Sequence, residues 1–125
     1  MSFDKEIEAE ILGKGLTAPR VTLDHIESVI ISEHYFTAAE GRLGALTTEE
    51  YVGRECPVEG DLDLVPLSLL TFCVLVLKNG FTVTGESACV SPENFDAELG
   101  RKIARGNAVG KIWGLEGYLL RGKVS

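Results

Sequence analysis

The sequence predicts an α+β fold: a small antiparallel sheet centred on one β-hairpin, packed against a long C-terminal helix and preceded by N-terminal helices. Three observations predict it. Two β-rich runs, 68–78 and 81–90, meet at Asn79-Gly80. A stretch of helical composition, 97–113, follows behind an acidic cap. Two segments near the start, 4–12 and 23–36, repeat their apolar residues at helical spacing. The chain has 125 residues, 45% apolar and 25% charged, which fits one globular domain over 1–125 with a core that needs no disulfide or metal staple. Such a composition excludes a disordered tail, a collagen-like fibre and a knottin.

The first helix, 4–12, carries Phe3, Ile7, Ile11 and Leu12 on one face and stops at Gly13 and Gly15. A second helix starts at Thr22, a good N-cap, with Asp24 in its first turn and Val21 placed to staple onto Ile26. Leu23, Ile26 and Ile30 then mark an apolar face running toward His34-Tyr35-Phe36. Residues 38–66 read as a long acidic connection punctuated by glycine and proline, with one helical turn at 48–52.

The next signal is the strongest. Asn-Gly between two β-rich runs marks a hairpin, because the tight turn needs positive φ at both positions. The first strand is apolar almost throughout and is expected to be covered on both faces. The second alternates, with Phe81, Val83 and Gly85 on one side and Thr82, Thr84 and Glu86 on the other. Ser91 before Pro92 opens one helical turn, and Asp96 caps the long helix. On a helical wheel Leu99, Ile103, Gly106, Gly110 and Trp113 share a stripe, the expected core face. If so, Trp113→Ala costs about 3–5 kcal/mol. Gly114 and Gly117 are expected to end the helix.

Lys and Arg number 12 against 19 Asp and Glu, a net charge of −7, which disfavours a nucleic-acid polymer as partner. The charge is uneven. Residues 1–66 hold 14 acids and 5 bases, whereas 91–125 hold 4 acids and 6 bases. The C-terminal quarter is therefore where a small anion finds positive company. Cys56, Cys73 and Cys89 are odd in number and lack a CxxC spacing, as expected of reduced thiols in a cytosolic protein. The acidic start is no signal peptide, and the apolar stretch 64–77 is too short to span a bilayer, so no membrane partner is expected.

No catalytic arrangement emerges, and the sequence predicts no enzyme, no cofactor and no metal. His25 and His34, nine apart on one expected helix, face opposite ways. Ser87 and Cys89 have no neighbouring His, and Gly13-Lys14-Gly15 lacks the phosphate-loop spacing. The basic face of the C-terminal helix reads two ways. Arg101 and Arg105, four apart, offer planar forks suited to phosphate oxygens, or they belong to a solvated face paired with acids such as Glu98. Phe81, Phe95 and Trp113 offer faces for a base, or core packing.

From Leu69 to Arg121 the chain resembles a widespread family of small bacteriophage proteins. The resemblance runs through Leu77-Lys-Asn-Gly-Phe-Thr-Val-Thr-Gly-Glu-Ser-Ala-Cys-Val, Ser91-Pro-Glu-Asn-Phe-Asp96, Lys111-Ile-Trp and Leu115-Glu-Gly-Tyr-Leu-Leu-Arg121, with Ser32-Glu-His-Tyr-Phe upstream. That family is similar to, or includes, the first Thoeris anti-defence family, whose members are sponges. The resemblance implies a protein acting in the host bacterial cytoplasm that sequesters, without cleaving, cyclic ADP-ribose isomers made by TIR-domain immune enzymes. Cyclic oligonucleotide signals of the CBASS defence are a second implied ligand. On this reading Arg101, Arg105 and Lys111 neutralise the pyrophosphate, Phe81 or Phe95 stacks a base, and Asn94 reads a polar edge. The alternative is a non-enzymatic accessory protein that binds another protein through its acidic N-terminal half.

A homo-oligomer with a two-fold dimer as its unit is expected. A lone hairpin leaves two sheet edges to cover, and Ala97, Ala104, Ala108 and Ile112 form a surface small enough for two helices to meet. Such an axis brings each chain's Arg101 and Arg105 toward the other's.

Overall fold

The computed structural model describes residues 2–48 and 62–125, leaving aside the side chains of Ser2 and Phe3. Along the chain lie α1 (Ser2–Gly13), α2 (Leu23–Ser28), β1 (Ile30–Thr37), α3 (Ala38–Ala45), α4 (Leu64–Ser68), β2 (Leu70–Leu77), β3 (Thr82–Ala88), a 3-10 turn (Pro92–Asn94) and α5 (Ala97–Val124). The fold is α+β, as the sequence predicts. The strands form one antiparallel sheet in the order β1-β2-β3. β2 is the central strand, paired on both edges.

Local chemistry sets the element boundaries. Thr22 caps α2 by accepting the His25 amide at 3.1 Å, and Asp96 caps α5 by accepting the Leu99 amide at 3.1 Å. The hairpin differs in detail from the expected two-residue turn. The Gly80 amide donates to the Leu77 carbonyl and the Leu77 amide to the Phe81 carbonyl, both at 2.8 Å, so Lys78, Asn79 and Gly80 form a three-residue loop. Gly80 takes up the left-handed conformation, at φ +86°, as three-residue hairpins require.

Two expectations for the first half are corrected. The helix from Leu23 does not run on to Phe36: α2 stops at Ser28, and residues 30–37 form β1. Ile30, Ile31, Tyr35, Phe36 and Thr37 are β-branched or aromatic, and pairing with β2 outweighs the helical spacing. His25 and His34 therefore lie on different elements. The start of the expected connection is also structured. Thr37 and Glu40 form a reciprocal capping box that opens α3, with Thr37 amide to Glu40 carboxylate at 2.8 Å and Glu40 amide to Thr37 hydroxyl at 3.1 Å. Most of the turn read at 48–52 lies outside the described residues, as does Cys56.

Alternation divides the sheet into two faces. Thr71, Cys73, Leu75 and Leu77 of β2 are buried with Val83 and Gly85 of β3, and α5 lies across them. Leu70, Phe72, Val74 and Val76 point to the other face and are only partly covered. That corrects the expectation of a strand sealed on both sides. The Phe36 and Phe72 rings meet there at 5.7 Å, and α3 approaches Phe36 at Gly41. Ile26, Val29, Val109 and Ile112 complete the core between α2, the sheet and α5.

The buried stripe of α5 is not the one expected. Gly100, Ala104, Ala108, Val109 and Ile112 face the sheet, whereas Leu99 is 53% and Ile103 45% exposed and Gly110 is open to solvent. Trp113 is half-buried at the margin of the core. The physical reason is the distance between helix and strand. A Cβ on Gly85 would overlap the Ala104 carbonyl oxygen and the Ala108 amide nitrogen, so the α5 backbone rests directly on β3. A Cβ on Gly100 would meet the Thr71 hydroxyl at 3.2 Å. Only glycine and alanine fit such a contact, and the larger apolar residues flank it. Nor does α5 end at Gly114: it continues to Val124, about 42 Å at 1.5 Å per residue, well past the sheet.

Ile112→Ala is expected to cost about 2–5 kcal/mol, while Leu99→Ala and Ile103→Ala cost about 1 kcal/mol or less. Gly85→Ala is expected at or beyond the top of the range of about 1–3 kcal/mol for overpacking, because its new methyl meets backbone rather than movable side chain. Urea denaturation midpoints of the four variants check this order.

Candidate functional site

The expected ligand residues fall into separate places. Phe95 and Arg101 line one hollow of about 410 Å³ with Tyr35, Phe36, Thr37 and Glu40 of the β1–α3 corner. Asn94 and Phe95 line a smaller neighbouring cavity of about 120 Å³ beneath Leu99 and Ile103. The Asp96 cap fixes where α5 begins, and so sets Phe95 just before the helix and Arg101 in its second turn. Phe81 lies at the other end of the hairpin, beside a groove of about 460 Å³ shared with Leu77, Leu115, Tyr118 and Leu119. Seven strand residues separate the two ends, roughly 20 Å at 3.3 Å per residue. Lys111 reaches the outer edge of β3, its Nζ 3.4 Å from the Thr84 hydroxyl.

The two arginines read from the sequence as a pair differ in their surroundings. Arg101 is exposed and has no carboxylate partner among the described residues. Arg105 is clamped. Its terminal nitrogens donate to both Glu27 carboxylate oxygens at 2.7 and 3.2 Å, and its Nε donates to Glu33. Those acids belong to α2 and β1, so one guanidinium ties α5 to both. Glu27 is held below the usual carboxylate range, first by its hydrogen bond from Arg105, and Arg105 is held protonated by the same contact. Tyr35 extends the cluster by donating to Glu33 at 3.2 Å, and burial, then Cys73 and Glu33, pushes its phenol up to about 12.

Of the six ligand residues named from the sequence, the structure sets Phe95 and Arg101 in one hollow and Asn94 in the cavity next to it. Sequence reasoning missed Tyr35 and Phe36 as lining residues once 30–37 was read as helix, although their aromatic, β-branched setting carried the strand signal. The partners of Arg105 stand 72 and 78 positions away, beyond any local pattern. Chemically, the hollow offers a free guanidinium, aromatic walls and the hydroxyls of Thr37, Ser68 and Thr71. The Glu40 carboxylate at its rim is engaged by the Thr37 amide. Among the described residues, no three His, Cys, Asp or Glu side chains gather as a metal site would require.

Arg105→Glu places three carboxylates together and is expected to lower the melting temperature strongly, whereas Arg101→Glu leaves stability within about 0.5 kcal/mol of wild type. This replaces the view of Arg105 as a surface cation. Because its folded pKa is depressed, Glu27 contributes stability that is complete at neutral pH and is lost as the pH falls through and below the ordinary carboxylate range. Glu27→Gln is expected to remove that part of the acid limb in a plot of melting temperature against pH.

No curated protein and no solved structure matches the chain. No helix among the described residues is long and apolar enough to cross a membrane. A family model does match, over residues 21–124, from the entry to α2 through the whole of α5. The sheet, the Arg105 clamp and the Phe95–Arg101 hollow all lie inside those limits, and the chain belongs to the phage protein family of N4 Gp49 and phage Sf6 gene 66.

Proposed function

We propose that this phage-family protein is a sponge that binds a small nucleotide immune signal, such as a cyclic ADP-ribose isomer, and does not cleave it. The observation that carries the reading is the unpaired Arg101 guanidinium beside Phe95 in a hollow of about 410 Å³, a volume within the usual range for small-molecule sites. Sequestration needs a cationic fork, a stacking face and enclosure rather than a nucleophile or a general base. Arg101 neutralises phosphate, Phe95 stacks a base, and Asn94 reads a polar edge. Arg105, already satisfied by two carboxylates, holds α5 in place rather than contacting ligand.

The reading includes assembly. Phe81 and Lys111 lie too far from this hollow to serve it on one chain, so a two-fold related copy supplies them, and the ligand closes the space between chains. The small-residue stripe cannot form that interface, because Ala104, Ala108 and Ile112 already face the sheet. Phage action within the host bacterial cytoplasm belongs to the same reading. A second reading, an accessory protein that works by protein–protein contact, draws on the exposed apolar groove beside Phe81 and Tyr118, which are 57% and 83% exposed.

Titration calorimetry with glycocyclic ADP-ribose is expected to show binding, with Arg101→Ala weakening it by about 10-fold or more, as for loss of hydrogen bonds to a charged group. Sedimentation is expected to show a dimer at tens of micromolar, with the ligand raising its stability. Neither heat nor a thermal shift at high micromolar ligand overturns the sponge reading. Specific capture of one host protein then favours the second.

A further inference from the structure

The residues matched by the family begin at Val21, so α1 and the connection that follows it stand outside the common body. The way α1 is attached is economical. Arg20, one residue before that boundary, donates to both carboxylate oxygens of Glu8 on α1, at 2.8 and 3.3 Å. Ile7 and Ile11 look onto Val21 and the half-buried Trp113 across a hollow of about 400 Å³ that remains between helix and body. Leu12 is exposed, and none of the described side chains of α1 enters the main core. A 12-residue helix is marginal alone in water, so α1 owes its helicity to this seat.

We propose that α1 is a detachable clasp, and that the strip it covers is a docking seat for an acidic amphipathic helix, of which α1 is the built-in occupant. The chemistry on both sides agrees. α1 carries Asp4, Glu6, Glu8 and Glu10 against one Lys5. Its seat offers the indole of Trp113 and the Val21 side chain with Arg20 at the rim. A neighbouring hollow, lined by Val21, Leu119 and Leu120 with Arg20 and Lys123 at its edge and the paired His25 and Glu116 beside them, continues the apolar strip along α5. Among the described side chains, opening costs the Glu8–Arg20 ion pair, the contact of Glu8 with the Leu23 backbone and a loose apolar contact. It leaves the sheet, the Arg105 clamp and the α5 stripe untouched, and it exposes Trp113.

The full chain tests this without added labels, because Trp113 is its only tryptophan. Hydrogen exchange at neutral pH is expected to protect the amides of residues 6–13 at least about 100-fold less than those of 104–112. In Arg20→Ala, acrylamide quenching of Trp113 is expected to rise about two-fold or more, with loss of α1 helicity, while the main melting transition shifts by less than about 2 °C. Glu8→Gln, which breaks the same pair from the other side, is expected to behave alike. A synthetic peptide of residues 1–16, which carries the native Glu8, is expected to restore the protected emission when added to Glu8→Gln, whose seat keeps Arg20, and to do so poorly with Arg20→Ala. The proposal is overturned if α1 amides exchange only with global unfolding. It is also overturned if both variants lose stability as Ile112→Ala does, or if the peptide leaves Trp113 of Glu8→Gln unchanged.

Discussion

The contact of backbone on backbone at Gly85 sets the rest of the molecule. An α-helix on a sheet usually stands off by the length of its side chains. Here the carbonyl of Ala104 and the amide of Ala108 take the space a side chain of β3 would fill. Once that contact is made, the buried stripe of α5 has to be glycine and alanine where it crosses β3. The larger residues Val109 and Ile112 then fall over β2 and α2, where there is room. The same closeness lets Asn107 reach the Glu86 carbonyl at 2.8 Å, satisfying an edge group of β3 that would otherwise face water. On the other side of the helix it delivers Arg105 to Glu27 and Glu33. A single missing Cβ thus fixes helix position, core composition and the principal ion cluster together.

This arrangement divides labour among the basic residues of α5. Arg105 looks across the sheet toward acids that the fold has gathered, and its charge is used in holding three elements together. Arg101, one turn earlier, looks past the end of β1 into the hollow with Phe95. Residues four apart on a helix share a face, but what each meets depends on what lies beneath that turn. Reading the two as one phosphate fork therefore overlooked the carboxylates that only folding brings to Arg105.

Much of the fold was legible in the residues. Asn79-Gly80 announced the hairpin, Thr22 and Asp96 announced two helix starts, and the apolar run of 68–78 announced a strand, though not that one of its faces would be only partly covered. The Thr37-Glu40 capping box was equally plain, and reading 38–45 as loop passed over it. The α5 face was misassigned because hydrophobic periodicity favours large side chains, whereas close packing on Gly85 selects small ones. The strand β1 was misassigned because Leu23, Ile26 and Ile30 keep helical spacing across the point where α2 stops. Of the site, Asn94, Phe95 and Arg101 were named from the sequence. The walls from Tyr35 and Phe36 needed the register of β1 on β2, a long-range property.

That register also bears on how the chain is made. The hairpin and α5 occupy one continuous stretch and close over short loops, but β1 must wait for β2. Phe36 meets Phe72, and at 5–20 residues per second the ribosome needs about 2–7 s to supply that partner. Throughout this interval an aromatic, β-branched strand stands with both edges bare. The acidic residues around it, Glu27, Glu33 and Glu40, carry unpaired like charge through that interval, and Arg105, synthesised well after them, turns two of them into an internal clamp.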